Sequence, residues 1–378
     1  MPQHARRLFA WLIGLCLILL VSAPAAADET VGEALETGQT TGEAEPTEKQ
    51  RIYRTREEQR EAGLQTAITP WFTLSGLLEG ETQTDRYVPR NREDVIEKRD
   101  DNRNIQIGLV IDLFGLAEAE VVAEYDSDPD KFSSEEAFVT FESDPMELSL
   151  GKQFTPLGLY FDHFVTGPML EFGETSARNV ILLAYGPSDQ FDLTLAAYRG
   201  RSSKVGKDDA WDWAVGFEAW PTDAFSFGLS YQSDLSDSDE RLLDDDHYIE
   251  RVPAVSGYLF GMTDAFEFSL EVVAALEDFR ELENDLNRPI AWNAEVAYFF
   301  PNYDVELALR IENSHELEDE PEHRYGVAIT WYLDKRANLT LEILRAQFDA
   351  ESYAIDLDDD EVSIQHANTV SAKLSIVF

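Results

Sequence analysis

The chain has 378 residues, and its 74 Asp and Glu residues against 30 Lys and Arg residues give a formal net charge of −44. This acidity excludes nucleic acid as a partner, because phosphate groups bind cationic side chains and repel carboxylates. Two causes of the acidity stay open: adaptation of the surface to a saline medium, or acidic loops that bind divalent cations or set the electric field at a pore mouth.

Residues 1–27 have the features of a secretory signal peptide. Two arginines precede an apolar run over 8–21, which is shorter than a membrane-spanning helix of about 20 residues, and three alanines supply a cleavage site. The only cysteine, Cys16, lies in this segment, and Leu15 stands where a lipoprotein signal has a small residue. We therefore expect an exported chain that uses neither a lipid anchor nor disulfides and that gains stability from another source, such as a closed sheet.

Residues 28–67 form a predicted periplasmic segment of different composition. Residues 28–47 are rich in Glu, Thr and Gly and have almost no large apolar side chain, so we expect disorder there. Residues 48–67 are rich in Arg, Glu and Gln, a composition that favours a helix. A solvated linker helix and a coiled-coil arm both stay open for this part.

Apolar residues occupy every second position in the segments that follow residue 68. Phe266, Phe268 and Leu270, for example, alternate with Glu267 and Glu271. Side chains of a strand point to opposite faces with period two, so each such segment is predicted to be a strand with one apolar and one polar face. The predicted strands are 71–84, 102–113, 115–126, 132–142, 146–153, 176–186, 190–199, 210–220, 224–233, 250–260, 265–277, 289–299, 303–312, 323–332, 337–347 and 367–378.

The connections between the predicted strands alternate between short turns and long loops. Short periplasmic turns and longer extracellular loops are typical of outer-membrane barrels. The predicted long loops are 85–101, 154–175, 200–209, 234–249, 278–288, 313–322 and 348–366. Aromatic residues crowd beside the short turns, as a membrane-interface girdle would require; they are Trp220, Phe225, Phe260, Phe266, Phe299, Phe300, Tyr303, Trp331 and Tyr332.

The last predicted strand ends the chain on an aromatic residue, Phe378. This ending is typical of bacterial outer-membrane barrels, whose last strand pairs with the first because an open edge in lipid would leave backbone groups without hydrogen bonds. The sequence thus predicts an all-β fold, a transmembrane antiparallel β-barrel of about 16 strands over residues 68–378. We expect it in the cell outer membrane, assembled there by the barrel assembly machinery and in contact with outer-membrane lipid and lipopolysaccharide.

The loop over 154–175 differs from the other long loops because it is aromatic and sparsely charged. An apolar loop on an exposed rim is unfavourable, so we expect it to fold inward and narrow the lumen. Packing on the barrel wall without a selective role stays open as the alternative. The candidates for the constriction or for ligand binding are Lys152, Gln153, Tyr160, Asp162, His163, Glu171, Glu174 and Arg178.

Charged residues recur on the polar face of the strands, which would line a lumen. By strand parity the candidates are Glu118, Glu120, Glu136, Glu218, Glu267, Glu271, Glu295, Glu306, Arg310, Glu342 and Lys373. A barrel with an open, charged lumen would be a porin, that is, a channel for small solutes. Because acids outnumber bases in this set, we expect such a channel to prefer cations.

The alternatives to a channel are an enzyme, a structural or adhesion barrel and a soluble β-protein. An enzyme is not expected, because no G-x-S-x-G motif occurs and the histidines after the signal lie in or beside loops; they are His163, His247, His315, His323 and His366. No cofactor is expected either, and no metal site is specified. A structural or adhesion barrel, whose acidic extracellular rim binds divalent cations or a partner, stays open, as does a soluble β-protein.

Two segments resemble a known family. Residues 151–186, GKQFTPLGLYFDHFVTGPMLEFGETSARNVILLAYG, are similar to the segment of the LbtU-like siderophore porin family in which a G-K-Q-x-x-P-x-G turn leads to an L-E-x-x-E-T stretch. Residues 71–79 also resemble the first strand of that family. The resemblance implies a sixteen-stranded outer-membrane barrel, in some members linked to siderophore-iron uptake. We therefore expect a porin that passes small hydrophilic solutes, with a ferric siderophore as one candidate, by passive or gated diffusion. A plugged, energy-coupled receptor is disfavoured, because too few residues precede Trp71 to form a plug, and a homotrimer is left open.

Overall fold

The computed structural model describes residues 65–90, 95–127, 130–188, 190–200, 203–204, 211–222, 224–239, 242–243, 247–263, 265–282, 287–318, 320–349, 354–357 and 360–378. The predicted signal peptide and nearly all of the predicted periplasmic segment lie outside these ranges. In the described ranges, no helix has the length and apolar character needed to cross a membrane.

Strands make up nearly all of the regular structure. They are β1 (Thr66–Thr69), β2 (Phe72–Pro89), β3 (Ile96–Asp112), β4 (Glu118–Asp126), β5 (Lys131–Ser143), β6 (Met146–Phe154), β7 (Ser176–Ser188), β8 (Phe191–Arg199), β9 (Ser203–Lys204), β10 (Asp212–Thr222), β11 (Phe225–Gln232), β12 (His247–Tyr248), β13 (Ala254–Met262), β14 (Phe266–Ala275), β15 (Ile290–Phe300), β16 (Val305–His315), β17 (His323–Asp334), β18 (Ala337–Gln347), β19 (Ala354–Leu357) and β20 (Asp360–Val377). One short 3-10 helix, Met169–Gly173, lies between β6 and β7.

Sixteen strands close into one antiparallel barrel: β2 to β8, β10, β11, β13 to β18 and β20. The seam joins β20 to β2, with Val377 opposite Leu77, so no strand edge is left open there. Phe378 and Gly76 extend the seam by exchanging backbone hydrogen bonds of 2.8 and 3.0 Å. A Cβ atom on Gly76 would lie 2.2 Å from the ring of Phe378, so a larger residue at this position would require the ring to move. The predicted fold class is confirmed.

The two ends of the chain differ from the sequence prediction. The predicted long loops 85–101 and 348–366 are largely strand, because β2 and β3 continue to Pro89 and from Ile96, and β20 begins at Asp360. Cross-strand charge pairing supports the β2–β3 extension: Arg86 Nε lies 2.9 Å from Glu97 Oε1. Charged residues lie on both faces of this hairpin, so its sequence lacks the apolar–polar alternation that predicts the other strands.

The two faces of the barrel wall have opposite character. On β16, Leu309 and Ile311 are 47% and 58% exposed, whereas Arg310 between them is 1% exposed. The apolar face therefore points outward and the polar face inward, the reverse of a soluble β-sandwich. Large aromatics at the end with short turns also point outward, and they include Phe266, Phe300, Tyr303 and Trp331.

Candidate functional site

Residues 155–175 between β6 and β7, here called the inner loop, lie inside the barrel. Leu157, Leu170 and Phe172 of the loop are buried in one cluster with Val273 of β14. The burial explains the aromatic, sparsely charged composition of this segment, which would be unfavourable on an exposed rim.

The backbone of the inner loop is held by carboxylates of the barrel wall. Glu271 on β14 accepts hydrogen bonds from the N–H groups of Leu159 (2.6 Å) and Tyr160 (3.0 Å). Glu342 on β18 accepts from the N–H groups of Val165 (2.7 Å) and Thr166 (3.0 Å) and from the Thr166 hydroxyl (2.7 Å). Buried backbone N–H groups need acceptors, and charged acceptors form the stronger hydrogen bonds, so these carboxylates anchor the loop.

A third carboxylate, Glu312 on β16, continues the row of anchors. Its Oε1 atom accepts from the N–H of Met169 (2.8 Å). Arg324 on β17 lies directly opposite Glu312 and donates from Nε to Glu312 Oε2 (2.6 Å) and from Nη2 to the carbonyl oxygen of Gly167 (2.6 Å). The wall therefore binds both the donors and the acceptors of the loop backbone.

Arg310 is the central cation of this contact. Its Nε donates to Glu295 Oε1 (2.6 Å), the residue directly opposite on β15, and its Nη1 donates to the carbonyl oxygen of Thr166 (2.7 Å). Its guanidinium carbon lies 4.2 Å from the centre of the Phe164 ring, and its Nη2 lies 3.4 Å from Asp162 Oδ1. A planar guanidinium can serve several acceptors and a ring at once, which suits a buried position among acids.

His163 joins the inner loop to two further carboxylates. Its side chain is fully buried; Nδ1 lies 2.8 Å from Glu295 Oε2 and Nε2 lies 3.1 Å from Glu267 Oε2. A carboxylate only accepts hydrogen bonds, so an imidazolium with both nitrogens protonated satisfies the two contacts together. The ring of Phe161 meets His163 edge-on, with the ring centres 4.9 Å apart.

The inner loop covers only one side of the lumen. Among the described residues its wall contacts run along β11 and β13 to β18: Thr155 donates to Gln232 on β11, and the ring of Phe161 meets that of Phe260 on β13. The wall carboxylates Glu271, Glu295 and Glu342 are almost completely buried there.

On β3 and β4 the inward-facing Gln106 and Glu124 are only half-buried. We call the lumen beside β2 to β5 the uncovered side, because the described contacts of the inner loop lie on the other strands. Two inward side chains of β4, Val122 and Glu120, are nevertheless only 0% and 4% exposed.

Charged side chains border the uncovered side. Asp162, Glu267, Glu79 and Lys373 have side-chain exposures of 19%, 21%, 22% and 23%, unlike the buried anchors. Lys373 Nζ lies 3.8 Å from Glu79 Oε1. Among these four side chains, three are acids and one is a base.

The other predicted constriction residues have diverse positions. Gln153 is buried at the end of β6, Glu171 is half-buried in the 3-10 helix, and Glu174 follows that helix. Lys152 and Arg178 instead line a separate pocket of about 390 Å³ together with Lys131 and three serines. A β-bulge between Gly151 and Gln153, where the β6–β7 register shifts, lies at this pocket.

Strand parity placed the predicted lumen charges on the inner face of their strands. Glu120, Glu271, Glu295, Glu306, Arg310 and Glu342 are buried, whereas Glu136, Glu218, Glu267 and Lys373 are half-buried and Glu118 is exposed at the start of β4. Glu312 and Arg324 were not among the candidates. Parity with Arg310 could have identified Glu312, but the role of Arg324 depends on the β16–β17 register.

No protein-family model and no curated protein matches the sequence. Solved porin structures do match its fold. The chain is similar to Salmonella typhi OmpF in complex with daunomycin, with 11% identity over 83% of this chain and 100% of that chain and a TM-score of 0.57. It is also similar to Pseudomonas putida OprB, with 8% identity over 82% and 94% and a TM-score of 0.56. For a triple mutant of the Rhodopseudomonas blastica porin the identity is 12% over 81% and 100%, with a TM-score of 0.52. At these identities the comparisons show that the chain has the fold of porins.

Proposed function

We propose that the chain is an outer-membrane diffusion channel for small hydrophilic solutes, with a lumen narrowed by the inner loop. The observation that carries the proposal is the one-sided attachment of this loop. It is bound to β14 to β18 by Glu271, Glu312 and Glu342 and leaves the lumen beside β2 to β5 uncovered. A loop fixed on one wall narrows a channel without filling it.

The outer surface supports a location within a membrane. Closure of the sheet satisfies the backbone hydrogen bonds of the wall, which a lipid environment requires. The outward face is apolar over many strands, and outward aromatics collect at the end with short turns, which we assign to the periplasmic side. Contact with outer-membrane lipid and lipopolysaccharide, insertion by the barrel assembly machinery and a homotrimeric assembly are parts of the same proposal.

The charges at the opening support a preference for cations. Asp162, Glu267 and Glu79 outnumber Lys373 there. A net negative constriction attracts cations and repels anions, because the field of a few charges acts across a narrow lumen.

The family resemblance of residues 151–186 adds a ferric siderophore as the finer proposal for the solute. The acidic opening restricts this proposal to neutral or cationic chelates, since an anionic chelate would be repelled. These residues include Asp162, whose side chain is 19% exposed beside the opening, and His163, which is buried behind it.

Single-channel conductance of the refolded chain in a planar bilayer tests the proposal. We expect stable conductance steps, and under a salt gradient a reversal potential of the sign that indicates cation preference. A neutral or cationic ferric siderophore added to one side should block the steps if the finer proposal holds. Steps without block would reject the siderophore and keep the channel.

Silence in the bilayer would overturn the channel proposal if the same preparation is folded, as shown by resistance to heat-induced unfolding on a gel. A folded but silent barrel would favour the structural or adhesion function. Steps with anion preference would contradict the proposal that Asp162, Glu267 and Glu79 set the ion selectivity at the opening.

A further inference from the structure

Three aspartates outside the inner loop meet in a buried cluster. Asp212 is the first residue of β10, and Asp234 and Asp237 belong to residues 233–239 after β11, here called the aspartate loop. One carboxylate oxygen from each lies within 4.8 Å of the others, and the three residues are no more than 3% exposed. A Ca²⁺ ion binds oxygens at about 2.3–2.6 Å, so three oxygens this close can contact one ion.

One carboxylate oxygen of the cluster accepts no hydrogen bond in the described part of the chain. Asp234 is fully buried, and its Oδ1 atom accepts from the Ser236 N–H (3.1 Å) and the Ser236 hydroxyl (2.6 Å). Its Oδ2 atom is also buried but has no hydrogen-bond donor in the described part of the chain. A buried carboxylate oxygen without a donor is unfavourable, and a coordinated cation would satisfy it.

The charge of the cluster suits a divalent cation. Arg251 pairs with one member of the cluster, since its Nε lies 2.7 Å from Asp212 Oδ1. Ca²⁺ is a hard cation that prefers oxygen ligands, and groups of carboxylate oxygens such as this one are typical of its sites.

We infer that Asp212, Asp234 and Asp237 bind a divalent cation, with Ca²⁺ favoured over Mg²⁺. The ligands come from a strand end and an irregular loop, and such flexible oxygen sites suit Ca²⁺ better than the strict octahedron of Mg²⁺. Water would complete the six to eight oxygens that Ca²⁺ takes.

The position of the site gives it a structural role. Asp239 in the aspartate loop donates its N–H to the carbonyl oxygen of Glu174 (2.8 Å) and accepts from the Ser176 N–H (2.8 Å). The inner loop joins β7 at these two residues. A cation at the aspartate loop would therefore also hold one end of the inner loop.

Terbium luminescence and thermal unfolding of the refolded chain test the inference. Tb³⁺ occupies oxygen-donor Ca²⁺ sites and luminesces when a nearby tryptophan absorbs light, and Trp211 and Trp213 flank Asp212. We expect a Tb³⁺ signal that Ca²⁺ displaces more effectively than Mg²⁺, and an unfolding temperature that is higher in Ca²⁺ than in EDTA.

Asp234→Asn should weaken Tb³⁺ and Ca²⁺ binding at least about tenfold, equivalent to about 1.4 kcal/mol, and should abolish the thermal effect of Ca²⁺. Glu250→Gln is the matched control, because Glu250 is an exposed acid of the same connection that pairs with Arg280. It should leave both readouts unchanged. If Asp234→Asn fails to fold, Asp237→Asn takes its place.

The double variant Trp211→Phe, Trp213→Phe keeps the three aspartates. It should lose most of the Tb³⁺ signal but none of the stabilisation by Ca²⁺. Equal Tb³⁺ and Ca²⁺ effects in Asp234→Asn and the parent chain would overturn the inference and locate the binding in other acidic loops. Absence of any Ca²⁺ effect in the parent chain would also overturn it and indicate a protonated aspartate cluster.

Discussion

Glutamate residues have different roles on the two sides of the lumen. Beside β14 to β18, Glu271 and Glu342 are almost completely buried and accept hydrogen bonds from the inner-loop backbone. Beside β2 to β5, Glu79 and Glu124 remain accessible and bind side chains of neighbouring wall strands, Lys373 and Asn104. Buried acids with donors serve as anchors, whereas accessible acids act through their charge.

The largest expected effect comes from removing the cation of the covered side. Arg310→Met would leave Glu295, Asp162 and Glu312 facing one another without their shared guanidinium. An uncompensated buried charge costs about 3–5 kcal/mol, so we expect a loss of that size in the free energy of unfolding. Denaturant unfolding of the refolded chain in detergent measures it.

Two variants sharpen this result. Arg86→Met removes an exposed arginine that pairs with Glu97, and it should cost less than about 1 kcal/mol. Adding Glu295→Gln to Arg310→Met removes one of the stranded charges and should restore part of the lost stability. Equal losses in Arg310→Met and Arg86→Met would contradict the anchoring role of Arg310.

A smaller effect is expected when one anchor is removed. Glu342→Ala leaves two N–H groups and one hydroxyl, from Val165 and Thr166, without their acceptor. Each unpaired group costs about 1–3 kcal/mol if it stays buried, so we expect this part of the loop to detach into the water of the lumen. Bilayer recordings should then show larger and noisier conductance steps.

The control for this variant lies on the uncovered side. Glu124→Ala removes a lumen acid that accepts from Asn104 and Gln106 on the neighbouring strand and, in the part of the chain that the structure describes, from no residue of the inner loop. Its conductance should change little and without added noise. Similar noise in both variants would mean that Glu342 does not hold the loop.

The sequence predicted the wall of the barrel better than the contacts inside it. Alternation within a strand such as Phe266–Ala275 follows from which side chains face lipid and which face the lumen, and it is visible in a single segment. It was lost in the β2–β3 extension, where the exposed pair Arg86 and Glu97 puts charge on the outer face. Where a strand extends past the apolar band of the barrel, neither face of the strand has to be apolar.

The site was predictable in part. The composition of residues 154–175 pointed to an inward loop because burial selects for apolar and aromatic residues. The pairing of Glu312 with Arg324 depends on strand register, and the removal of Lys152 and Arg178 to another pocket depends on a bulge. Neither register nor bulge is encoded in the local pattern.

The smallest expected effect concerns ion selectivity at the uncovered side. Glu79→Gln and Asp162→Asn each remove one negative charge beside the opening. A unit charge about 8 Å away in a water-like medium contributes about 0.5 kcal/mol, with opposite sign for a cation and an anion. Each substitution should therefore lower the cation-to-anion permeability ratio about fivefold at low salt. The reversal potential under a salt gradient measures this ratio.

Lys373→Met is the opposite test at the same place, because it removes the base that lies beside Glu79. It should raise the permeability ratio by a similar factor. Since the fields of accessible charges are screened within about 8–10 Å at 0.1–0.15 M ionic strength, all three shifts should shrink as the salt concentration rises. Shifts of the same sign for Glu79→Gln and Lys373→Met would mean that the pair acts through the shape of the opening, and the division between anchoring and selective acids would then fail on the uncovered side.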